Sequence, residues 1–343
     1  MALPPCRLLL VGLVASFWVS ACLSTAPSAL SPQAASNSDP CRVVEHQRGT
    51  TEVCGQPQRI AVLSPHTLDV VLALGAQPAA YAESVALDIE RFDNPVQQIP
   101  HLGDRITTQP LNLGDRKSPS LERLALLKPD LIIGEDWLAG DLYRHLASIA
   151  PTLLFSDERS GSQHWRHSIQ GIAKALGRED DIEQVNAEVS RELEAARRTL
   201  APLVKTLPKM LILSVNSTMT DLAIAPDSTV GRLLEKIGFQ LVFPEPTTTG
   251  ASRWLHTSPE VLPTLEADII LVIGWDASEF YRPEIKLRKT WIKHPLFNEV
   301  PASKAHRVFF VDYQLWGSIT RGPITDSLIL KRLPEIFSSL LPT

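Results

Sequence analysis

The 343-residue chain is short of several things, and each shortage narrows what it can do. Lys and Arg number 33 against 38 Asp and Glu, a formal charge of −5. No basic stripe runs along any segment, which argues against nucleic acid as a partner. There is no phosphate-cradling glycine loop, no G-x-S-x-G elbow and no H-E-x-x-H pair. The carboxylates do not gather as a glycosidase pair would. The nine histidines are scattered, and the closest two, His164 and His167, lie on a polar helix and read as solvated rather than metal-binding. Cysteine is scarce too: Cys6, Cys22, Cys41 and Cys54.

What is present begins with an export signal. Arg7 precedes an apolar run from Leu8 to Val19, too short to span a bilayer comfortably. The run ends in Val19-Ser20-Ala21-Cys22, which resembles a bacterial lipobox. Residues 1–21 are therefore expected to leave as a lipoprotein signal peptide, with Cys22 carrying the lipid; the alternative is ordinary cleavage that discards Cys22. Residues 22–40, rich in Ser, Ala and Pro, read as a flexible tether holding a soluble domain near a membrane of the cell envelope. Export places Cys41 and Cys54 in an oxidising compartment. Between them RVVEHQRGTTEV looks like a hairpin, so a cross-strand disulfide is expected, contributing ~3 kcal/mol in the chain-entropy view. A metal site there would have only His46 to help it.

Two stretches then say nearly the same thing: Ser118–Trp137 and Thr257–Asp276. Each opens on Ser, Thr and Pro, continues as a short amphipathic helix, and reaches an Asp followed by a wholly apolar run ending in Gly. Glu122 stands eight residues before Asp130, and Glu260 eight before Asp268. Around each unit the pattern is strand, helix, strand, which implies mostly parallel sheets with helices on their faces. The fold class is therefore α/β: an N-terminal lobe over 41–160, connecting helices over 161–200, and a C-terminal lobe over 201–343. Residues 84–117 lack periodicity and read as a loop towards a cleft. The helix from Glu179 to about Leu200 has an apolar stripe, an acidic start and a basic end. At 1.5 Å per residue it would reach roughly 33 Å, enough to join two lobes; a dimerising coiled coil is the alternative, and the chain reads as a monomer.

Aromatic and Arg side chains accumulate where strands are expected to end. Trp137 follows the first repeated strand, Arg253 and Trp254 precede the second unit, and Tyr313, Trp316 and Arg321 follow the last strand. Ligands of α/β sheets bind beyond the carboxyl ends of strands, so these six are the expected cleft.

CRVVEH…TTEVCGQPQRIAVLSP, PSLERLALLKPDLIIGEDW and DYQLWGSITRGP together resemble the periplasmic iron–siderophore-binding proteins of ABC importers. The likeness spans about residues 41–343 and is nearest to the ferric-siderophore branch of cyanobacteria and some other bacteria. It implies two lobes bridged by one long rigid helix, little movement on binding, and a ligand held between the lobes. It implies that one Glu of each lobe, matching Glu122 and Glu260, docks on the two permease subunits, which work with an ATPase. No intrinsic cofactor or catalytic residue is implied; iron arrives inside the siderophore. Cobalamin or heme is the alternative ligand, heme resting on Tyr313 and Met219. An exported two-lobed hydrolase is the remote one.

Overall fold

Apolar runs bounded by turn residues become the strands of two sheets, one before and one after a long helix. The computed structural model describes residues 40–83, 87–155, 164–216, 218–224, 226, 228–244, 255–275, 283–317 and 321–342. The expected leader, Cys22, and the cleft candidates Arg253 and Trp254 lie outside them. Asp39–Thr343 form one compact unit.

The chain enters through a hairpin, β1 (Cys41–His46) and β2 (Gly49–Cys54), whose first register pair is Cys41 opposite Cys54. The two are joined by the expected disulfide, so neither sulfur is a thiolate that could hold a metal. The hairpin rests on the first sheet, with the Gln47 N–H donating to the Leu154 carbonyl at 2.9 Å.

That sheet comprises β3 (Ile60–Val62), β4 (Pro78–Glu83), β5 (Leu111–Asp115), β6 (Leu131–Glu135) and β7 (Thr152–Phe155), in the order β5-β4-β3-β6-β7. Every pairing is parallel. Every residue of β3, β6 and β7 is buried, as a parallel sheet covered on both faces requires. Between β3 and β4 runs α1 (Pro65–Ala73), where Ser64 caps the start by accepting from the Thr67 N–H at 3.3 Å. It is followed by Gly75 at φ +71°, the left-handed turn that glycine adopts without a Cβ clash.

The second sheet departs from this plan. Its strands are β8 (Lys209–Asn216), β9 (Leu222–Ile224), β10 (Gln240–Leu241), β11 (Leu255–Thr257), β12 (Ile269–Trp275) and β13 (Val308–Asp312). The order is β11-β9-β8-β12-β13, with β10 also beside β8. β8, β12, β13 and β10 pair in parallel, whereas β9 is antiparallel to both of its neighbours, β8 and β11. Residues 239–243 are apolar enough for a longer strand but pair only through the two residues of β10, because β9 folds back on the upper half of β8 and occupies that edge.

The connecting helix runs from Asp181 to Thr206, 26 residues and about 39 Å. It continues through Pro202 beyond the end expected near Leu200. Val185, Val189, Ala196, Leu200 and Leu203 form its buried stripe, which packs mainly on the C-terminal helix Pro323–Ile336. One core cluster runs without a break from Leu68 and Ile133 of the first lobe, through this stripe, to Ile212, Trp316 and Leu330 of the second. The outer face of each sheet has a separate, smaller core. The lobes thus share their inner core, which opposes large hinge motion.

Candidate functional site

The site forms where the carboxyl ends of β3, β5, β6 and β13 meet the start of the C-terminal helix. β6 ends in Glu135, wholly buried although charged, and Trp137 follows, 41% exposed. The Trp137 indole N–H donates to Glu135 Oε1 at 3.0 Å. The same oxygen accepts from the Arg321 guanidinium, so a buried ion pair joins the two lobes. Burial alone would raise the Glu135 carboxyl, but Arg321, His66, the Trp137 hydrogen bond and Arg116 together hold it below its ordinary value. Glu135 stays ionised and fixes the tilt of the exposed indole.

His66, at the start of α1, donates from Nδ1 to the Arg321 carbonyl, and its Nε2 lies 3.3 Å from Ser168 Oγ. One turn on, the buried Asp69 carboxylate accepts from the Ile324 N–H at 2.9 Å, the Thr325 N–H at 2.8 Å and the Thr325 hydroxyl at 2.6 Å. The C-terminal helix has no side-chain cap of its own, since Gly322 is its N-cap. Asp69, from the other lobe, supplies the missing acceptor. A Cβ on Gly322 would lie 2.1 Å from the Asp69 carboxyl carbon, so only glycine allows the approach. Nearby, the Trp165 indole donates to Asp326 at 2.9 Å. Burial pushes Asp69 up to about 7 and Asp326 up to about 6, despite the hydrogen bonds that lower both.

At the end of β13 the Asp312 carboxylate caps the following turn, accepting from the Leu315 N–H at 2.9 Å and pairing with His101 at 3.1 Å. Tyr313 is half-buried there, its phenol raised by burial and lowered by both Arg116 and Arg321. Gly317 leaves room for the Tyr313 ring: a Cβ there would come within 2.2 Å of it. Arg116, just past β5, has its guanidinium 5.5 Å from the centre of the Trp137 ring. Trp137, Tyr313, Arg116 and the Glu135–Arg321 pair are therefore one constellation drawn from both lobes.

Of the expected cleft residues, the structure brings Trp137, Tyr313 and Arg321 together. Arg321 is 6% exposed and already paired, so it acts as a buried strut rather than an open cation. Trp316 was expected on the cleft wall and instead lies in the core at 2% exposure, where the short turn Tyr313–Trp316 packs it with Leu315 while Tyr313 stays half-buried at the edge of the same core. Met219 belongs to the outer core of the second lobe, away from Tyr313, so the two do not form a heme-ligand pair. Sequence reasoning missed Arg116, Glu135, His66 and Asp69. Glu135 had a legible signal, a carboxylate closing an otherwise apolar strand; Arg116 had none, lying in a stretch without periodicity. Glu122 and Glu260 are both exposed, each in the first turn of its helix.

Residues 60–315 match the model of a family described as periplasmic binding protein. The chain is 27% identical over 282 residues to the Fe(3+)-citrate-binding protein YfmC of Bacillus subtilis, covering 82% of this chain and 81% of the relative. It is also 27% identical over 315 residues to the probable siderophore-binding lipoprotein YfiY of the same organism, covering 90% and 91%. Among solved structures, Staphylococcus aureus SirA complexed with staphyloferrin B superposes with a TM-score of 0.67 at 22% identity, over 86% of this chain and 98% of that one.

Proposed function

We infer that this chain, which belongs to the periplasmic binding protein family, captures a ferric siderophore and delivers it to an ABC importer. The observation that carries the reading is a set of relatives matched over most of their lengths and named for ferric citrate or siderophores. The constellation beyond the strand ends supports it. An exposed indole, a phenol and a guanidinium suit an oxygen-rich complex with flat apolar edges. Iron travels inside the siderophore, and the protein binds without turnover. Cys22 carries the lipid that keeps the receptor at the cell envelope, a reading supported by the likeness to YfiY, described as a probable siderophore-binding lipoprotein.

Delivery uses Glu122 and Glu260. Both stand exposed in the first turn of matched copies of one unit, where carboxylates can meet cationic pockets on a two-subunit permease. Glu122→Ala combined with Glu260→Ala should abolish iron uptake in cells and leave ligand affinity unchanged; undiminished uptake would remove the docking role. For the ligand itself, the purified chain titrated with ferric siderophores should show saturable Trp quenching. Tight binding of cobalamin or heme with no response to any ferric complex would overturn the assignment.

A further inference from the structure

The first sheet ends at β7, an edge strand whose outward N–H and C=O groups would otherwise stand open. The disulfide-closed hairpin covers them. The Gln47 N–H and the Thr51 hydroxyl donate to the Leu154 and Thr152 carbonyls at 2.9 and 3.2 Å, and the Leu154 N–H donates to His46 Nδ1 at 3.4 Å. The same Nδ1 accepts from the Arg48 N–H at 3.3 Å, so the imidazole proton sits on Nε2, which donates to the Thr51 hydroxyl at 2.9 Å. Burial lowers His46 below its ordinary value against the pull of Asp136, which favours that neutral ring. The tip is thus fixed on the sheet, and its Arg48 reaches beyond it: Arg48 Nε donates to the Asp136 carboxylate, 88 residues away in the chain.

Asp136 opens the helical turn Asp136–Ala139, and the residue after it is Trp137. Two further contacts bind the hairpin tip to this segment. A Cβ on Gly140, just past the turn, would overlap the Arg48 guanidinium and lie 3.1 Å from Asp136 Oδ1, so glycine leaves room for the pair. The His46 and Tyr143 ring centres stand 5.6 Å apart. The turn has no side-chain cap of its own, because Glu135 at its N-cap commits Oε1 to Trp137 and Arg321. We propose that Arg48 is a positioning residue of the ligand site: through Asp136 it holds the turn that carries Trp137, and so sets where the indole stands before a ligand arrives. The proposal rests on the siderophore reading above and adds to it an element outside the cleft, the hairpin tip. Glu135 fixes the indole by its N–H, whereas Arg48 fixes the backbone from which the indole projects; together they give a wall already in place at binding. The ion pair is partly exposed, so it adds little to global stability and its effect is local.

The full chain is labelled with 5-fluorotryptophan, and the Trp137 fluorine resonance is identified by its loss in Trp137→Phe. Arg48→Ala should move that resonance in the ligand-free protein, leave the other Trp resonances in place and keep the urea midpoint. Affinity is read by equilibrium dialysis with whichever of ferric citrate, ferrichrome and ferric enterobactin binds the unaltered chain most tightly. Arg48→Ala should weaken it about fivefold or more, and Arg48→Lys, which keeps the charge, should recover part of the loss in both readouts. Asp136→Asn should match Arg48→Ala, and the double variant should lose no more than either single one, since both break the same pair. A Trp137 resonance unmoved in Arg48→Ala overturns the proposal. So does a moved resonance with unchanged affinity, and so do losses that add in the double variant. If none of the three complexes binds the unaltered chain, the siderophore reading falls, and the Trp137 resonance alone decides whether Arg48 holds the turn.

Discussion

The two copies of the repeated unit agree in their joints and differ in their helices. Asp130 accepts from the Gln58 and Arg59 N–H groups at 2.9 Å each, and its own N–H donates to the Arg59 carbonyl at 3.1 Å. In the second copy Asp268 accepts from the Lys209 N–H at 2.9 Å and donates to the Lys209 carbonyl at 2.8 Å. Each Asp thus fastens the start of its own strand to the start of the sheet's first strand in chain order, and register follows: Ile60 pairs with Leu131, Met210 with Ile269. The helices part ways at one position. Where the first copy has Ala125 in an α-helix (Leu121–Leu127), the second has Pro263 in a 3-10 helix (Pro259–Thr264). Proline removes the N–H and crowds the preceding turn. The comparison teaches that the joint, not the helix, is what the repeat preserves.

The sharpest way to break this two-lobed arrangement is at the bond between the lobes. Asp69→Ala leaves two backbone N–H groups and a hydroxyl of the C-terminal helix without their acceptor and should cost ~3–5 kcal/mol, read by urea unfolding. The same carboxylate sets a pH dependence. Its native value of about 7 lies above the unfolded 3.8, so the native state holds the extra proton between them. Stability on this account falls as pH rises from about 4 to 7 and is flat above; Asp326, raised to about 6, acts in the same sense. Urea midpoints at pH 5 and pH 8 check it, and Asp69→Asn should flatten the slope. Next in size, Ala125→Pro should destabilise by ~3 kcal/mol, whereas Pro263→Ala should be neutral or slightly stabilising, by circular dichroism melts. Smallest, Asp130→Ala should cost ~2 kcal/mol and Asp268→Ala about 1 less, since Asp130 caps two N–H groups and Asp268 one. Equal losses would show that the copies are not graded in this way.

Much of the architecture was legible because periodicity reports burial. β6 and β12, the long helix and the disulfide hairpin all follow from local pattern. The second sheet's edge was not legible: Phe239–Phe243 is as apolar as a strand, but β9 already occupies most of that edge by folding back from β8. At the site, aromatic residues at strand ends were visible and their direction was not. Tyr313 and Trp316 sit on one short turn, and only the packing decides that the first stays half-buried and the second is wholly enclosed. Arg116 and Asp69 gain their roles from residues about twenty positions away in the first case and about 255 in the second, which no window on the sequence contains.

The central claim is that the constellation of Trp137, Tyr313 and Arg116 receives a ferric siderophore. The most direct measurement is an intrinsic fluorescence titration of the purified full chain with ferric citrate, beside the same chain carrying Trp137→Phe. The account predicts saturable quenching, most of it lost in the variant because Trp137 is the exposed indole at the site among the described residues. Quenching that survives the substitution undiminished, or binding of heme or cobalamin with no response to any ferric complex, would contradict it.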